Sequence, residues 1–517
     1  DIPRDYNAAH DLIERNLAAG RADKVAYIDD RGRTTFGELG RRVNRFANAL
    51  VGLGMRAEER VLVCLLDSVD FPTAFLGSIK AGIVPIAANT LLTPGDYAYM
   101  LNDSRARALV VSGALLPSFL PILADCRHLK HVIVSGEGPA PRPPHALDFD
   151  ALLKNADDAF EAAQTTRDDV CFWLYSSGST GAPKGTMHIH SSMMTTAYLH
   201  GHPIVDVRED DVLFSAAKLF FAYGLGNALT YTLAFGATAV LMAERPTPEA
   251  VFRRLKEHRP TIFYGVPTLF AMMMASPALP SRDEVAIRLC TSAGEALPEH
   301  VGKRFSAHFG VDILDGLGST EMLHVYLSNR PGDVRYGTSG RPVPGYRLRV
   351  VDDEGRAVAP GEVGELQVNG PTSAQGYWNN REKSHATFQG PWTRSGDKYR
   401  IDEDGRYVYS GRSDDMMKVG GIYVSPIEVE SALVTHEAVL EAAVIGREDA
   451  DRLLKPMAYV VLKPGRTPSE MLAAELKEHV KLHLAPYKFP RWVEFLEELP
   501  KTATGKIQRF KLRARQG

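Results

Sequence analysis

The sequence predicts an α/β protein of two domains: a large one built on parallel sheets and a small α+β unit towards the C-terminal end. Three observations predict it. The chain has 517 residues, too many for a single hydrophobic core. Short apolar runs alternate with helical patterns over much of it, as they do where parallel strands are covered on both faces. Past Gly411–Asp415 (GRSDD) a compact run of about 100 residues follows, enough for one small domain. The boundary is therefore placed so that residues 1–411 form the large domain and 412–517 the small one.

Each element has its own signal. Arg60–Leu66 (RVLVCLL) reads as a buried strand, preceded by the amphipathic stretch Phe36–Leu53. Ala108–Val111, His131–Ser135 and Ala237–Met242 are further strand candidates. Tyr346–Asn369 alternates apolar and polar residues around a turn at Asp352–Gly355, which suggests antiparallel strands. In the small unit, Ile427–Val434 and Ser469–Leu484 read as helices, and Glu441–Ile445 and Met457–Leu462 as strands. Gly136–Pro144 reads as a Pro-rich surface loop.

Composition narrows the function classes. Hydrophobic residues make up 44% and charged residues 24%, as in ordinary globular proteins. The net charge of -3 offers no basic excess against a phosphate polymer, so nucleic acid is not an expected partner. A small phosphorylated ligand needs only a few placed cations. No apolar run is long enough to span a bilayer and no secretory leader opens the chain, so no membrane partner is expected. Cys64, Cys126, Cys171 and Cys290 lie far apart without metal-ligand spacing, read as free thiols, and fit a reducing cytoplasm.

The strongest local feature is Tyr175–Gly185 (YSSGSTGAPKG), directly after the apolar run Cys171–Leu174. Its glycines let backbone N–H groups approach an anion, its serine and threonine hydroxyls add donors, and Lys184 adds charge. A polyphosphate is the natural guest. The segment is not a Walker A loop, because Pro183 stands where the second glycine is required.

Ser176–Gly185 resembles the phosphate loop of the adenylate-forming superfamily, which holds acyl-CoA synthetases, luciferases and peptide-synthetase adenylation domains. Further blocks follow in that superfamily's order and cover most of the chain. The resemblance implies αβ-sandwich sheets plus a distorted β-barrel in the large domain, and a mobile small domain. It implies ATP contacts from Ser176, Ser177, Gly178, Ser179, Thr180, Gly181 and Lys184. Asp315–Glu321 (DGLGSTE) resembles the second nucleotide motif: Asp315, Gly316 and Leu317 lie against the nucleotide, Thr320 contacts the α-phosphate and Glu321 holds Mg²⁺. Leu317 stands where relatives often carry an aromatic residue, so adenine would rest on an aliphatic face, helped by Ala293, Gly294 and Glu295 of Ser292–Ala296 (SAGEA).

Ser395–Asp397 (SGD) resembles the ribose-binding block, with Asp397 accepting from the 2′ and 3′ hydroxyls. Arg412 and Lys418, in Tyr409–Lys418 (YSGRSDDMMK), assist, and Asp414, or its neighbour Asp415, aligns with the hinge. Pro500–Arg509 (PKTATGKIQR) resembles the C-terminal signature, whose lysine is Lys506. Joining an anionic carboxylate to an anionic α-phosphate needs a cation between them, and Lys506 takes that role. By the same resemblance the small domain rotates for the second step, and Gly420 and Gly421 of Val419–Gly421 make room for the pantetheine arm of coenzyme A.

The acid pocket falls to Phe221, Ala222, Tyr223, Ala293, Gly318, His324 and Val325, a mostly apolar and aromatic set without lysine or arginine. No aspartate stands near Phe220–Tyr223 to hold an amino group, against an amino-acid-activating domain. The stretches Leu219–Gly226 and Glu321–Tyr336 look most like the benzoate–CoA ligases of the superfamily. The resemblance therefore implies ATP-, Mg²⁺- and coenzyme A-dependent ligation of benzoate by a monomer or homodimer, with another aryl or alicyclic acid (4-hydroxybenzoate, 2-aminobenzoate or cyclohexanecarboxylate) as the alternative and a luciferase-like oxygenase as a rival reading. A carrier-loading adenylation enzyme is weakened by the absence of a carrier domain after Lys506, and a non-catalytic nucleotide binder by the presence of Lys506, Thr320 and Glu321. His324 either closes one wall of the pocket or packs in the core. His188 and His190 (HIH) invite a metal reading, but no third ligand is evident and they read as packing.

Overall fold

A computed structural model describes residues 2–178, 181–413, 415–419, 422–450, 453–484, 486–501 and 507–515. The chain divides into two compact units. The first takes residues 1–336, 342–347 and 369–393, and the second residues 337–341, 348–368 and 394–517.

The first unit carries two sheets. One runs in the order Gly376–Tyr377, Gly181–Ile189, Val170–Gly178, Val84–Ala87, Arg60–Cys64, Ala108–Ser112, His131–Ser135, Leu147–Asp148. From Val170–Gly178 to the last strand every pairing is parallel, and the two strands at the other end are antiparallel. The second sheet holds Val325–Ser328, Ile313–Gly318, Leu289–Ser292, Ile262–Gly265, Val212–Ser215, Thr238–Val240, Val25–Asp29 and Gly32–Thr35, parallel through its middle. Continuous apolar strands and right-handed crossovers dictate this arrangement. Leu62, Ile86, Leu109 and Trp173 of one sheet are buried in one core, and Phe214 and Phe263 of the other are buried with Phe270 and Phe305 of the helices Pro267–Ala275 and Glu299–Phe309.

The expected helix at Phe36 begins there because Thr35 and Glu38 form a reciprocal capping box. It buries Phe36, Leu39, Val43, Phe46 and Leu50, the i, i+3, i+4 and i+7 stripe of the sequence, and ends at Gly52. The strands expected at 60, 108 and 131 form within a few residues of their predicted limits, and that at 237 shortens to Thr238–Val240. All four cysteines are buried and free. No helix among the described residues is long and apolar enough to cross a membrane.

In the second unit, Arg347–Val351, Gly364–Asn369, Trp392–Ile401 and Tyr407–Arg412 form a sheet in that order. The predicted turn is present: Gly355 N–H donates to Asp352 O at 3.1 Å. The C-terminal part places Val439–Glu448 antiparallel to Leu454–Leu462, with Trp492–Phe495 parallel to the latter. Alternation along Val439–Glu448 splits its side chains between two cores. Ala442 and Val444 pack with helices Pro426–Val434 and Glu470–His483, and Ala443 and Ile445 pack with Leu512 of the last helix.

Candidate active site

The glycine- and hydroxyl-rich segment is not a free loop after a strand. Its first residues extend Val170–Gly178, its last open Gly181–Ile189, and the two pair as a hairpin with Ser176 opposite Lys184 and Gly178 opposite Gly181. Ser177, Gly178 and Gly181 thus lie on the hairpin arms, while Ser179 and Thr180 lie outside the described residues. The antiparallel register brings the hydroxyl of Ser176 and the ammonium of Lys184 to one place.

Both meet the second motif there. Ser176 Oγ donates to Glu321 Oε1 at 3.4 Å, and Tyr377 donates its hydroxyl to the same oxygen at 2.8 Å. Lys184 Nζ donates to the Tyr377 oxygen at 3.4 Å and lies 4.4 Å from the centre of that ring. Thr320 is held from behind: buried His188 donates through Nε2 to its carbonyl at 2.8 Å, and burial pushes His188 down to about 4. His190 is buried as well and accepts at Nδ1 from Ala8 N–H. The HIH pair therefore packs, and no cluster of metal ligands occurs among the described residues.

Strand Ile313–Gly318 carries Asp315, Gly316, Leu317 and Gly318 up to this point, and a short turn over Thr320–Met322 follows. Leu323 then adopts a φ of 66°, a conformation that costs a non-glycine residue on the order of 1–3 kcal/mol. That turn sends Glu321 and His324 to different partners. Asp315 is 5% exposed, its Oδ1 has no partner among the described residues, and burial pushes its carboxyl up to about 8. Ser292 Oγ is buried beside Asp315, and its side chain counters part of the upward push of burial on the Asp315 carboxyl. Ala293 is buried beside it and Gly294 takes a positive φ of 93°. The Glu295 carboxylate is engaged locally, accepting from Thr268 Oγ1 at 2.7 Å.

The acid segment is anchored from below. The Asp67 carboxylate accepts from Leu219 N–H at 3.2 Å, and its burial raises it to about 6. Phe221, Ala222 and Tyr223 follow on a short helical turn, with Tyr223 and Thr291 sharing a hydrogen bond between their hydroxyls. His324 is 2% exposed, its ring 5.8 Å from that of Tyr223, and both ring nitrogens are bonded within the protein. Val325 pairs with Gly318 across the strands. Gly318 and Gly226 are required by this histidine: a Cβ on Gly318 would meet His324 O at 2.7 Å, and one on Gly226 would meet the imidazole at 2.2 Å.

In the second unit, Asp397 and Arg412 lie opposite each other on paired strands, and the guanidinium donates to Asp397 Oδ1 at 3.0 Å. Lys418 lies on the strand Met417–Val419. Asp414, Gly420, Gly421 and Lys506 lie outside the described residues.

Two family models match the chain: the AMP-binding enzyme model over residues 14–378, which include the hairpin, Glu321 and Tyr377, and the AMP-binding enzyme C-terminal domain over residues 428–506. The chain belongs to this family. It is thus an adenylate-forming enzyme. It is 64% identical over 515 residues to the benzoate–CoA ligase of Thauera aromatica, covering 99% of this chain and 97% of that one. It is 51% identical to the 4-hydroxybenzoate–CoA/benzoate–CoA ligase of Rhodopseudomonas palustris, over 99% of this chain and 94% of that one. The crystal structure of a benzoate CoA ligase from Burkholderia xenovorans LB400 superimposes with a TM-score of 0.91 at 57% identity, covering 98% of this chain and all of that one.

Tyr377, His188, Asp67 and the buried partners of His324 were not singled out as site residues. Tyr377 follows an isolated glycine with no local pattern around it, and only the pairing of Gly376–Tyr377 with Gly181–Ile189 brings it to Glu321.

Proposed function

We propose that the chain is an ATP- and Mg²⁺-dependent benzoate–CoA ligase, which makes benzoyl-AMP and pyrophosphate and then benzoyl-CoA and AMP. The observation that carries this is the convergence of Ser176 and Tyr377 on Glu321, with Lys184 bonded to Tyr377, in the same unit as the aromatic pair Tyr223 and His324. The 64% identity to a benzoate–CoA ligase supports the choice of acid.

In the first step a benzoate oxygen attacks the α-phosphorus of ATP, the new O–P bond forms, and the bond to the bridging oxygen of pyrophosphate breaks. Thr320, Lys184 and the hairpin carrying Ser176–Gly181 hold the phosphates. Asp315 accepts from the adenine amino group with Ala293, Gly294, Glu295, Gly316 and Leu317 around the base, and Asp397, assisted by Arg412 and Lys418, holds the ribose. A carboxylate flanked by hydroxyls is the hard oxygen set that suits Mg²⁺, so Glu321 would hold the ion, which when bound offsets phosphate charge. Lys506 bridges the two anions as they join. Phe221, Ala222, Tyr223, Gly318, His324 and Val325 enclose the ring.

In the second step the thiol sulfur of coenzyme A attacks the acyl carbon, the C–O bond to AMP breaks, and the thiol proton leaves to solvent. Residues 412–517 act as the moving lid on residues 1–411 about Asp414, and the thiol arm enters past Gly420 and Gly421. The enzyme works in the cytoplasm as a monomer or homodimer, without nucleic acid or membrane, consistent with its net charge of -3.

The test is ATP–pyrophosphate exchange and thioester formation with benzoate, 4-hydroxybenzoate, anthranilate, cyclohexanecarboxylate and medium-chain fatty acids, with and without coenzyme A. Benzoate is expected to give the highest kcat/KM and a coenzyme A-dependent thioester. A folded sample that releases no pyrophosphate with any aryl acid overturns the proposal.

A further inference from the structure

Behind the acid segment runs a polar line that the two half-reactions leave unexplained. His200, Tyr231, His324 and Asn227 are each no more than 2% exposed, yet they are linked side chain to side chain. His200 Nδ1 lies 2.8 Å from the Tyr231 hydroxyl, that hydroxyl 2.9 Å from His324 Nδ1, and His324 Nε2 3.2 Å from Asn227 Oδ1.

The hydrogens in this line are not independent. A neutral imidazole has one N–H and a tyrosine one O–H. With Asn227 turned so that Oδ1 meets the ring, as here, its Nδ2 is buried without a partner among the described residues, and His324 carries its hydrogen on Nε2 and leaves Nδ1 bare; an amide turned the other way would reverse the line. Tyr231 must then donate to His324 Nδ1, and its oxygen accepts from Nδ1–H of His200. Burial favours the neutral form of both rings, lowering His324 to about 4 and His200 well below its ordinary value.

The backbone is shaped to hold the two ends. His200 lies on a π-helical turn, Ala197–Gly201, and Asn227 on another, Leu225–Thr230. Such turns are rare and recur at functional sites, because the additional residue turns a side chain out of the ordinary helical row. Gly226, beside Asn227, gives up a side chain that would strike the His324 ring at 2.2 Å.

We propose that Tyr231 and His200 are positioning residues for acid binding: they lock His324 as a neutral ring protonated on Nε2, so that it presents one fixed wall to the aryl carboxylate. This rests on the proposal that Tyr223 and His324 line the acid pocket. An imidazolium there would draw the carboxylate away from the α-phosphate, and a ring free to turn would change the shape of the wall. The locked tautomer excludes both.

The test begins with long-range proton–nitrogen correlation spectra of the enzyme labelled with ¹⁵N-histidine, assigned by signal loss in His200→Asn and His324→Gln. His324 is expected bare at Nδ1 and protonated at Nε2, and His200 protonated at Nδ1. In Tyr231→Phe the acid KM should rise roughly tenfold, the size of one lost buried hydrogen bond, while the ATP KM stays within about twofold. His200→Asn, whose amide donates from the place of Nδ1, should keep an acid KM near wild type, and His200→Leu should behave as Tyr231→Phe. A His324 bare at Nε2, or equal rises of the acid and ATP KM in Tyr231→Phe, overturns the lock. If Tyr231→Phe does not fold, the wild-type tautomers decide alone. If Tyr223→Ala leaves the acid KM unchanged, the pocket assignment fails and the positioning role with it, whereas a wrong tautomer alongside a Tyr223 effect sinks the lock alone.

Discussion

Tyr377 donates its hydroxyl to Glu321 at 2.8 Å while receiving a hydrogen bond from Lys184 at 3.4 Å, so one phenol joins the cation of the first nucleotide motif to the anion of the second. The phenol hydroxyl thus stands between the lysine and the carboxylate. Tyr377→Phe keeps the ring beneath Lys184 but breaks the line. Hydrogen bonds to charged groups are worth about 1.5–3 kcal/mol, so kcat/KM for ATP should fall about 10–100-fold with an unchanged melting temperature. Pyrophosphate exchange across a Mg²⁺ titration measures it. An unaltered Mg²⁺ dependence and rate would show that this cluster is not the nucleotide site.

The two half-reactions should separate by mutation. Lys506→Ala should abolish adenylate formation yet spare thioester synthesis from supplied benzoyl-adenylate. Gly421→Leu should do the reverse, with pyrophosphate exchange retained and thioester stalled, because a branched side chain would obstruct a pantetheine arm entering there as proposed. Equal loss of both steps in the lysine variant contradicts its assignment, and normal thioester synthesis in the glycine variant misplaces the thiol entry.

How much of this was legible follows from where the forces act. The parallel strands and the helix at Phe36 were readable because burial on two faces, or on one stripe, writes itself into adjacent residues. The Tyr175–Gly185 segment read as a ligand loop, and its folding as the two arms of a hairpin was not legible. Its glycines and hydroxyls signal a ligand, while its pairing depends on strand partners such as Tyr175 opposite Gly185. Tyr377, Tyr231 and Asn227 were invisible for the same reason. Each meets its partner across a separation of 56 to 97 residues, and nothing local distinguishes it from packing. His324 was left between pocket and core, and its buried ring beside Tyr223 has both nitrogens bonded within the protein.

Gly226 tests the packing of that wall. A methyl group there would lie 2.2 Å from His324 Cδ2 and 2.5 Å from Nε2, and the ring is pinned by Tyr231 and Asn227, so it has no easy retreat. Gly226→Ala should cost about 1–3 kcal/mol of stability, as overpacking does, and raise the acid KM. Added to His324→Ala, where the space is open, the same change should cost almost nothing. A double-mutant cycle by chemical denaturation reads the difference. Equal costs in both backgrounds would mean that the glycine answers to the backbone and not to the histidine.

Asp315 gives a pH signature. Its carboxyl is buried with Oδ1 unpartnered and is pushed up to about 8, against about 3.9 in an unfolded chain. Below about pH 4 both states hold the proton and the group contributes nothing. As pH rises, the unfolded chain releases the proton first and gains hydration that the folded chain lacks, so stability falls until about pH 8 and then levels. Asp315→Asn removes this slope and keeps an oxygen to accept from the adenine amino group. Urea midpoints of variant and parent, compared at about pH 5, 7 and 9, should diverge in the variant's favour up to about pH 8 and stay parallel above it, since all other groups titrate alike in both. ATP affinity should change by no more than about threefold, because an uncharged acceptor replaces an acid that is itself held largely uncharged near neutrality. A constant gap in midpoint across that range would mean that Asp315 is ionised in the folded enzyme, and adenine would then meet a carboxylate instead of a neutral acid.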